Sequence, residues 1–76
     1  MQATPRLSNR LRLWRVAHGL TLDEVAGLTG LSKAYLSRIE RGERHPTAFT
    51  KVVIARRLDC AVTDLFDVAS LDEATA

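Results

Sequence analysis

Apolar residues along this chain recur at helical spacing and nowhere alternate with a period of two over a convincing length. Leu7, Leu11 and Trp14, followed by Ala17 or His18, fall three or four positions apart and share one face of a first helix over about 7–18. Ser8 or Asn9 is its candidate cap. Gly19 is its stop, because glycine takes the left-handed conformation without steric cost. Thr21-Leu22-Asp23-Glu24 spells a capping box and predicts a second helix over 22–29, with Leu22, Val25, Ala26 and Thr29 inward and Gly30 closing it. Ser32 caps a third helix over 33–41, whose stripe is Tyr35/Leu36 and Ile39 and whose stop is Gly42. Pro46-Thr47 opens a fourth over 48–58, with Ala48, Val52, Ala55 and Leu58 facing inward. Asp59 stands where a stop glycine is expected, and aspartate tolerates the left-handed conformation better than most residues. A short fifth helix over 62–68 carries Leu65 and Phe66. The fold class is all-α, a compact five-helix bundle.

Length narrows the picture. Seventy-six residues make one small domain, which buries only about 60% of its unfolded surface and has no room for an elaborate enzyme pocket. Residues 1–6 read as a flexible N-terminal arm, 7–69 as the domain and 70–76 as a frayed acidic tail. The single cysteine, Cys60, excludes an internal disulfide and a cysteine-paired zinc site, which suits a cytoplasmic home. No apolar run is long enough to span a membrane, and the N-terminus lacks a signal-type apolar segment. His18 and His45 have no ligand-like spacing, so neither metal nor cofactor is expected; His18 suits the dipole at a helix C-terminus. Cys60 reads as a small buried hydrophobe and Trp14 as core. No nucleophile–base set or Gly-rich phosphate loop is visible, so the chain does not read as an enzyme.

Charge changes the picture more by its distribution than by its total of +2. Residues 1–45 hold eight basic groups against four acidic ones, a balance of +4; residues 46–76 hold three against five, a balance of −2. The basic half suggests an anionic partner. That half also contains two short helices joined by a tight turn with Gly30, a helix-turn-helix. The outward face of its second helix is Lys33, Ala34, Ser37, Arg38 and Arg41. A duplex major groove about 12 Å wide admits one such helix.

The ordered set Leu20-Thr21-Leu22-Asp23-Glu24-Val25-Ala26, Thr29-Gly30-Leu31-Ser32, Tyr35-Leu36-Ser37-Arg38-Ile39-Glu40-Arg41-Gly42 and Pro46 resembles the lambda-repressor-like Cro/C1 (Xre) helix-turn-helix family. Ile54-Ala55 through Leu58 and Asp64-Leu65-Phe66 resemble that family's fourth and fifth helices. The resemblance implies a sequence-specific transcriptional regulator that binds double-stranded DNA as a homodimer on a palindromic operator, with helix 3 in the major groove. It implies base reading by Lys33, Ala34, Ser37 and Arg38, with Arg38 foremost because its fork matches guanine O6 and N7 together. It implies phosphate contacts from Thr21 and Leu22 through their backbones, and from Ser32, Tyr35, Arg41, Arg44 and His45. Arg15 and Glu40 occupy positions where the family places an ion pair that positions the recognition helix.

Departures from the family pattern carry their own expectations. Leu22 replaces a common Gln that holds a phosphate, which shifts weight to Arg41, Arg44 and the basic arm. Ala61 replaces a capping Ser, so helix 5 is expected to begin at Thr63. Lys51 takes a usually apolar position while Phe49 and Val53 fall outside it. Either helix 4 is rotated to bury Phe49, or Phe49 and Val53 form an exposed patch that joins a partner. Phe49, Val53, Leu65 and Val68 are the candidate dimer-interface residues. Asp23 and Glu24 suit the first-turn dipole, and acidic groups on helix 2 of related activators touch RNA polymerase, which adds polymerase or another regulator as a partner. The competing reading is a protein-interaction module, such as an antitoxin or co-regulator, favoured by the acidic second half and the Phe49/Val53 patch. No sensing domain follows the motif, so control by a bound small molecule is not expected.

Overall fold

The computed structural model describes residues 9–67. Leu7, Ser8, Val68, the arm over 1–6 and the tail over 70–76 lie outside the described residues. Five helices follow in order: α1 (Leu11–Ala17), α2 (Leu22–Thr29), α3 (Lys33–Glu40), α4 (Ala48–Arg57) and α5 (Val62–Leu65). α2 packs on α3 and α4, and α1 packs on α3 and α5. Leu11, Val25, Leu36, Ile39, Ile54, Ala55, Leu58, Leu65 and Phe66 form one core to which every helix contributes. Each fully buried aliphatic side chain there contributes about 1.5–3 kcal/mol by leaving water.

Caps explain where the three middle helices begin. Thr21 Oγ1 accepts from the Glu24 amide at 3.0 Å, and Glu24 Oε1 accepts from the Thr21 amide at 2.8 Å, which completes the capping box. Ser32 Oγ accepts from the Tyr35 amide at 3.0 Å and Thr47 Oγ1 from the Thr50 amide at 3.2 Å. Gly30, at φ 79°, turns the chain out of α2. Asp59, at φ 59°, does the same after α4 as a non-glycine. Thr29 is buried without an orphaned hydroxyl: it donates to the Val25 carbonyl at 2.8 Å and accepts from the Leu31 amide at 3.3 Å.

The two end helices differ from their expected bounds. α1 starts at Leu11 because Asn9 is held outside it, in an isolated antiparallel bridge with Phe66. Asn9 Oδ1 accepts from the Leu11 amide at 3.1 Å, and its Nδ2 donates to the Ile39 carbonyl at 3.1 Å. Ala17 is exposed rather than on the buried stripe, and His18 stacks on Trp14 with ring centroids 3.9 Å apart. α5 begins at Val62, as the range 62–68 has it, and not at Thr63: the Asp64 amide bonds to the Ala61 carbonyl at 2.9 Å and Asp64 Oδ2 accepts from the Ala61 amide at 3.0 Å, so the first turn closes without a side-chain cap from Ala61. It ends at Leu65 rather than continuing to 68, because Phe66 turns extended to bury its ring and meet Asn9.

α4 carries the largest correction. Lys51, Ile54, Ala55 and Leu58 make its buried stripe, while Val52 is 38% exposed. The spacing i, i+3, i+4, i+7 is satisfied by Lys51 instead of Val52. The lysine stem lies along the core and its ammonium sits 5.5 Å over the Phe66 ring. The helix is therefore not rotated, and Phe49, 77% exposed, stands outside. Leu65, a candidate for the dimer interface, is fully buried in the core and cannot meet a second chain without unfolding α5.

Candidate nucleic-acid interface

The α2–turn–α3 unit sets a short helix on the surface with its N-terminus capped and its inner stripe locked by Leu36 and Ile39. Lys33, Ala34 and Arg38 are exposed on its outer face, and Ser37 is half-buried beside them. Lys33 Nζ lies 3.6 Å from Asp23 of α2, an exposed pair that contributes little to stability. Arg38 is exposed, and no ion pair holds its guanidinium among the described residues. Its backbone carbonyl instead closes the loop after α3, accepting from the Glu43 amide at 2.8 Å and the Arg44 amide at 3.3 Å. That loop carries Arg44 back over the Tyr35 ring at 5.5 Å, so a cation from the loop and an aromatic from α3 sit together. His45 is exposed beside them, and buried Pro46 anchors the loop to α4.

A second ion pair fixes how α3 stands on the bundle. Arg15 Nε donates to Glu40 Oε2 at 2.7 Å and Nη2 to Oε1 at 3.2 Å, a bidentate contact between α1 and the end of α3. Arg15 Nη1 also donates to the Leu20 carbonyl at 2.9 Å, which ties in the segment leading to α2. The side chains are 14% and 6% exposed. Hydrogen bonding to Glu40 pushes the Arg15 guanidinium above its ordinary range against the cost of burial. A pair so placed orients three segments at once, since one guanidinium satisfies α3, α1 and the turn.

Beside this pair lies a cleft lined by Arg12, Arg15, Leu22, Ser37, Glu40 and Arg41. It brings together the start of α2, the outer face of α3 and α1. Arg12 has no place among the sequence candidates. Its signal is its position three residues before Arg15, which puts both on one face of α1. Thr21 does not offer what the sequence suggested: its amide is already donated to Glu24, so only its hydroxyl hydrogen remains for an anion. The Leu22 amide, at the first helical position, makes no bond among the described residues. Arg41 is not loose either. Its Nε and Nη2 each donate to Glu43 at 3.0 Å and its Nη1 donates to Ser37 Oγ.

On the opposite side, Cys60 is half-buried in a shallow cleft with Trp14, His18, Leu58, Asp59 and Asp64. Burial, reinforced by the charges of Asp64 and Asp59, pushes its thiol above the ordinary 9.0, so it is a poor nucleophile near neutrality. Among the described residues no group of three or more potential ligands could hold a metal ion. No helix among them is long and apolar enough to cross a membrane.

Comparison with known proteins agrees with this geometry. A helix-turn-helix family model matches residues 11–65. An uncharacterized HTH-type transcriptional regulator, y4dJ, of Sinorhizobium fredii is 43% identical over 58 residues, spanning 76% of this chain and 74% of that protein. Control protein C.SmaI of Serratia marcescens is 30% identical over 59 residues, spanning 78% of this chain and 70% of its own. Among solved structures, the restriction-modification controller protein C.AhdI of Aeromonas hydrophila superposes with a TM-score of 0.71 at 34% identity, covering 80% of this chain and 92% of that one. An HTH_3 family transcriptional regulator from Vibrio cholerae also gives 0.71, at 44% identity; it covers 78% of this chain, which spans only 33% of that protein. These relatives are regulators and controllers rather than enzymes. The chain belongs to the Cro/C1-type helix-turn-helix family of DNA-binding transcriptional regulators.

Proposed function

We propose that the protein regulates transcription in the cytoplasm as a homodimer on a palindromic operator, with α3 of each protomer in a major groove. The observation that carries this reading is the outer face of α3: a rigidly seated helix presents Lys33, Ala34 and Arg38 outward, with Arg38 unengaged by any ion pair among the described residues. Arg38 reads a guanine through its fork, Lys33 and Ser37 take neighbouring base edges, and Ala34 meets a thymine methyl. Backbone phosphates are met by the Leu22 amide, the Thr21 and Ser32 hydroxyls, Tyr35, Arg41, Arg44 and His45, with Arg12 added across the cleft from Arg41. Arg15 and Glu40 hold α3 at the angle the groove requires.

One helix reads too few base pairs to select a site in a genome. Two-fold pairing sets two recognition helices about 34 Å apart, one turn of duplex. The surface that supports pairing is the outer side of α4, where Phe49 is 77% and Val52 38% exposed, with half-buried Val53 one turn from Phe49. Asp23 and Glu24 are exposed at the start of α2, Glu24 within the capping box and Asp23 beside Lys33, and RNA polymerase or another regulator would meet them there. The likeness to C.AhdI and C.SmaI, named as controllers, supports a regulator that acts through this module.

Selection of binding sites from random duplex DNA at controlled salt tests the reading. The expected result is a palindrome with half-sites about one turn apart. Affinity should fall about 10³–10⁵-fold between 50 and 200 mM salt if roughly 6–10 phosphates are met. No enriched sequence, together with an obligate protein partner in co-purification, would instead support an interaction module such as an antitoxin.

A further inference from the structure

An exposed carboxylate stands among the cations that follow α3. Glu43 follows the stop glycine of α3, and its amide is bonded to the Arg38 carbonyl at 2.8 Å, which holds the residue beside the helix. Both of its carboxylate oxygens meet Arg41, Oε2 on Nε and Oε1 on Nη2, each at 3.0 Å. The remaining terminal nitrogen of Arg41 donates to Ser37 Oγ. Every nitrogen of the Arg41 fork is thus engaged within one small cluster, and two residues facing DNA are tied to each other. A carboxylate and a phosphate present the same two-oxygen edge to a guanidinium. Hydrogen bonding from Arg41, aided by its charge and that of Arg38, holds the Glu43 carboxyl below its usual range.

We infer that Glu43 is an intramolecular stand-in for a DNA phosphate, which occupies Arg41 in the free protein and must be displaced before Arg41 can engage the duplex backbone. The inference rests on the DNA-facing reading of α3 proposed above. The exchange replaces one anionic contact of Arg41 by another and leaves the Glu43 charge beside a polyanion. Arg41 therefore adds less to affinity than an unengaged arginine would. Glu43 lowers sequence-independent attraction at the same point where Ser37 faces the bases, and release of Arg41 also releases the Ser37 hydroxyl from its bond.

The test is a double-mutant cycle of Glu43→Gln and Arg41→Ala, titrated on the selected duplex and on a scrambled one. Both residues are exposed, and circular dichroism checks that each variant keeps its helices. Glu43→Gln should tighten binding to both duplexes by about two- to five-fold per bound protomer, the worth of an exposed ion pair. Its salt slope should stay close to the wild-type value, since Arg41 meets the same phosphate in both proteins once Glu43 is displaced. In the Arg41→Ala background the gain should shrink to the smaller share that comes from the Glu43 charge beside a polyanion. An equal gain in that background would mean that Glu43 acts as bulk charge only, and no gain in either background would mean that it does not compete; both overturn the inference. Failure of the wild-type protein to bind any duplex overturns the DNA reading itself, and this inference falls with it. The resting contact is also read without DNA: the Arg41 Nε–H resonance should move on Glu43→Gln substitution, and an unmoved resonance contradicts the pairing.

Discussion

The front of the molecule, α3 and its flanking loops, and the back, the outer side of α4, rest on one shared core but solve opposite surface problems. The front carries Lys33, Arg38, Arg41 and Arg44 around a helix only eight residues long. The back exposes Phe49 and Val52 from the first half of α4. On the front, charge is abundant and most of it is held: Arg41 by Glu43, Arg44 over Tyr35, Arg15 by Glu40. On the back, apolar area is left without a cover among the described residues. The difference teaches that a domain this small separates its tasks by chemistry rather than by distance. Electrostatic steering suits a polyanion on one side, and the exposed apolar area on the other is where we propose that a second copy of the chain packs.

Breaking the joint between front and core should have the largest effect. Arg15→Met removes one partner of the Glu40 pair and leaves the Leu20 carbonyl unserved. Stability should fall by about 3 kcal/mol, read by urea unfolding, because a nearly buried carboxylate is left uncompensated. The double variant Arg15→Met/Glu40→Leu should recover most of that stability while operator affinity stays low, which separates folding from positioning. Recovery of both would remove the positioning role.

Phe49→Ala probes the back alone. Self-association in sedimentation equilibrium should weaken by about 2 kcal/mol, as expected for an aromatic anchor at an interface. Monomer stability should change by less than about 0.5 kcal/mol, since the ring is already in water. Unchanged association would move the dimer surface elsewhere.

Gly27→Ala gives a smaller effect of the opposite sign. Gly27 lies within α2 and a Cβ there would meet nothing within 4 Å. Stability should rise by about 1 kcal/mol, the difference in helix propensity. The same change at Gly30, with φ at +79°, should lower stability by about 1–2 kcal/mol because an L side chain is strained there. A gain at both positions would contradict the reading of Gly30 as the left-handed stop of α2.

The front was more legible in sequence than the back, for a physical reason. Caps and stops are local: Thr21, Ser32 and Thr47 each accept from an amide three residues on, and Gly30 turns the chain through its own φ, so their pattern is visible in the sequence itself. Asp59 was readable for the same cause. The inward side of α4 was not, because Lys51 buries a stem that binary patterning treats as polar, and its ammonium finds the Phe66 ring across the bundle. The start of α1 and the end of α5 are not legible in the sequence, because Asn9 and Phe66, more than fifty positions apart, pair with each other. Within the site, the exposed face of α3 follows from helical periodicity. What Arg41 and the Thr21 amide are bonded to does not, because a side chain with several possible partners reveals its choice only in three dimensions.

The central claim is that the exposed face of α3 reads sequence, and paired titrations of wild-type protein and Arg38→Ala on the selected and scrambled duplexes test it most directly. Arg38→Ala should lose about 1–3 kcal/mol on the selected site and relax the preference at one base pair, with a much smaller loss on the scrambled duplex. Equal losses on both duplexes would make Arg38 a phosphate contact and contradict the claim.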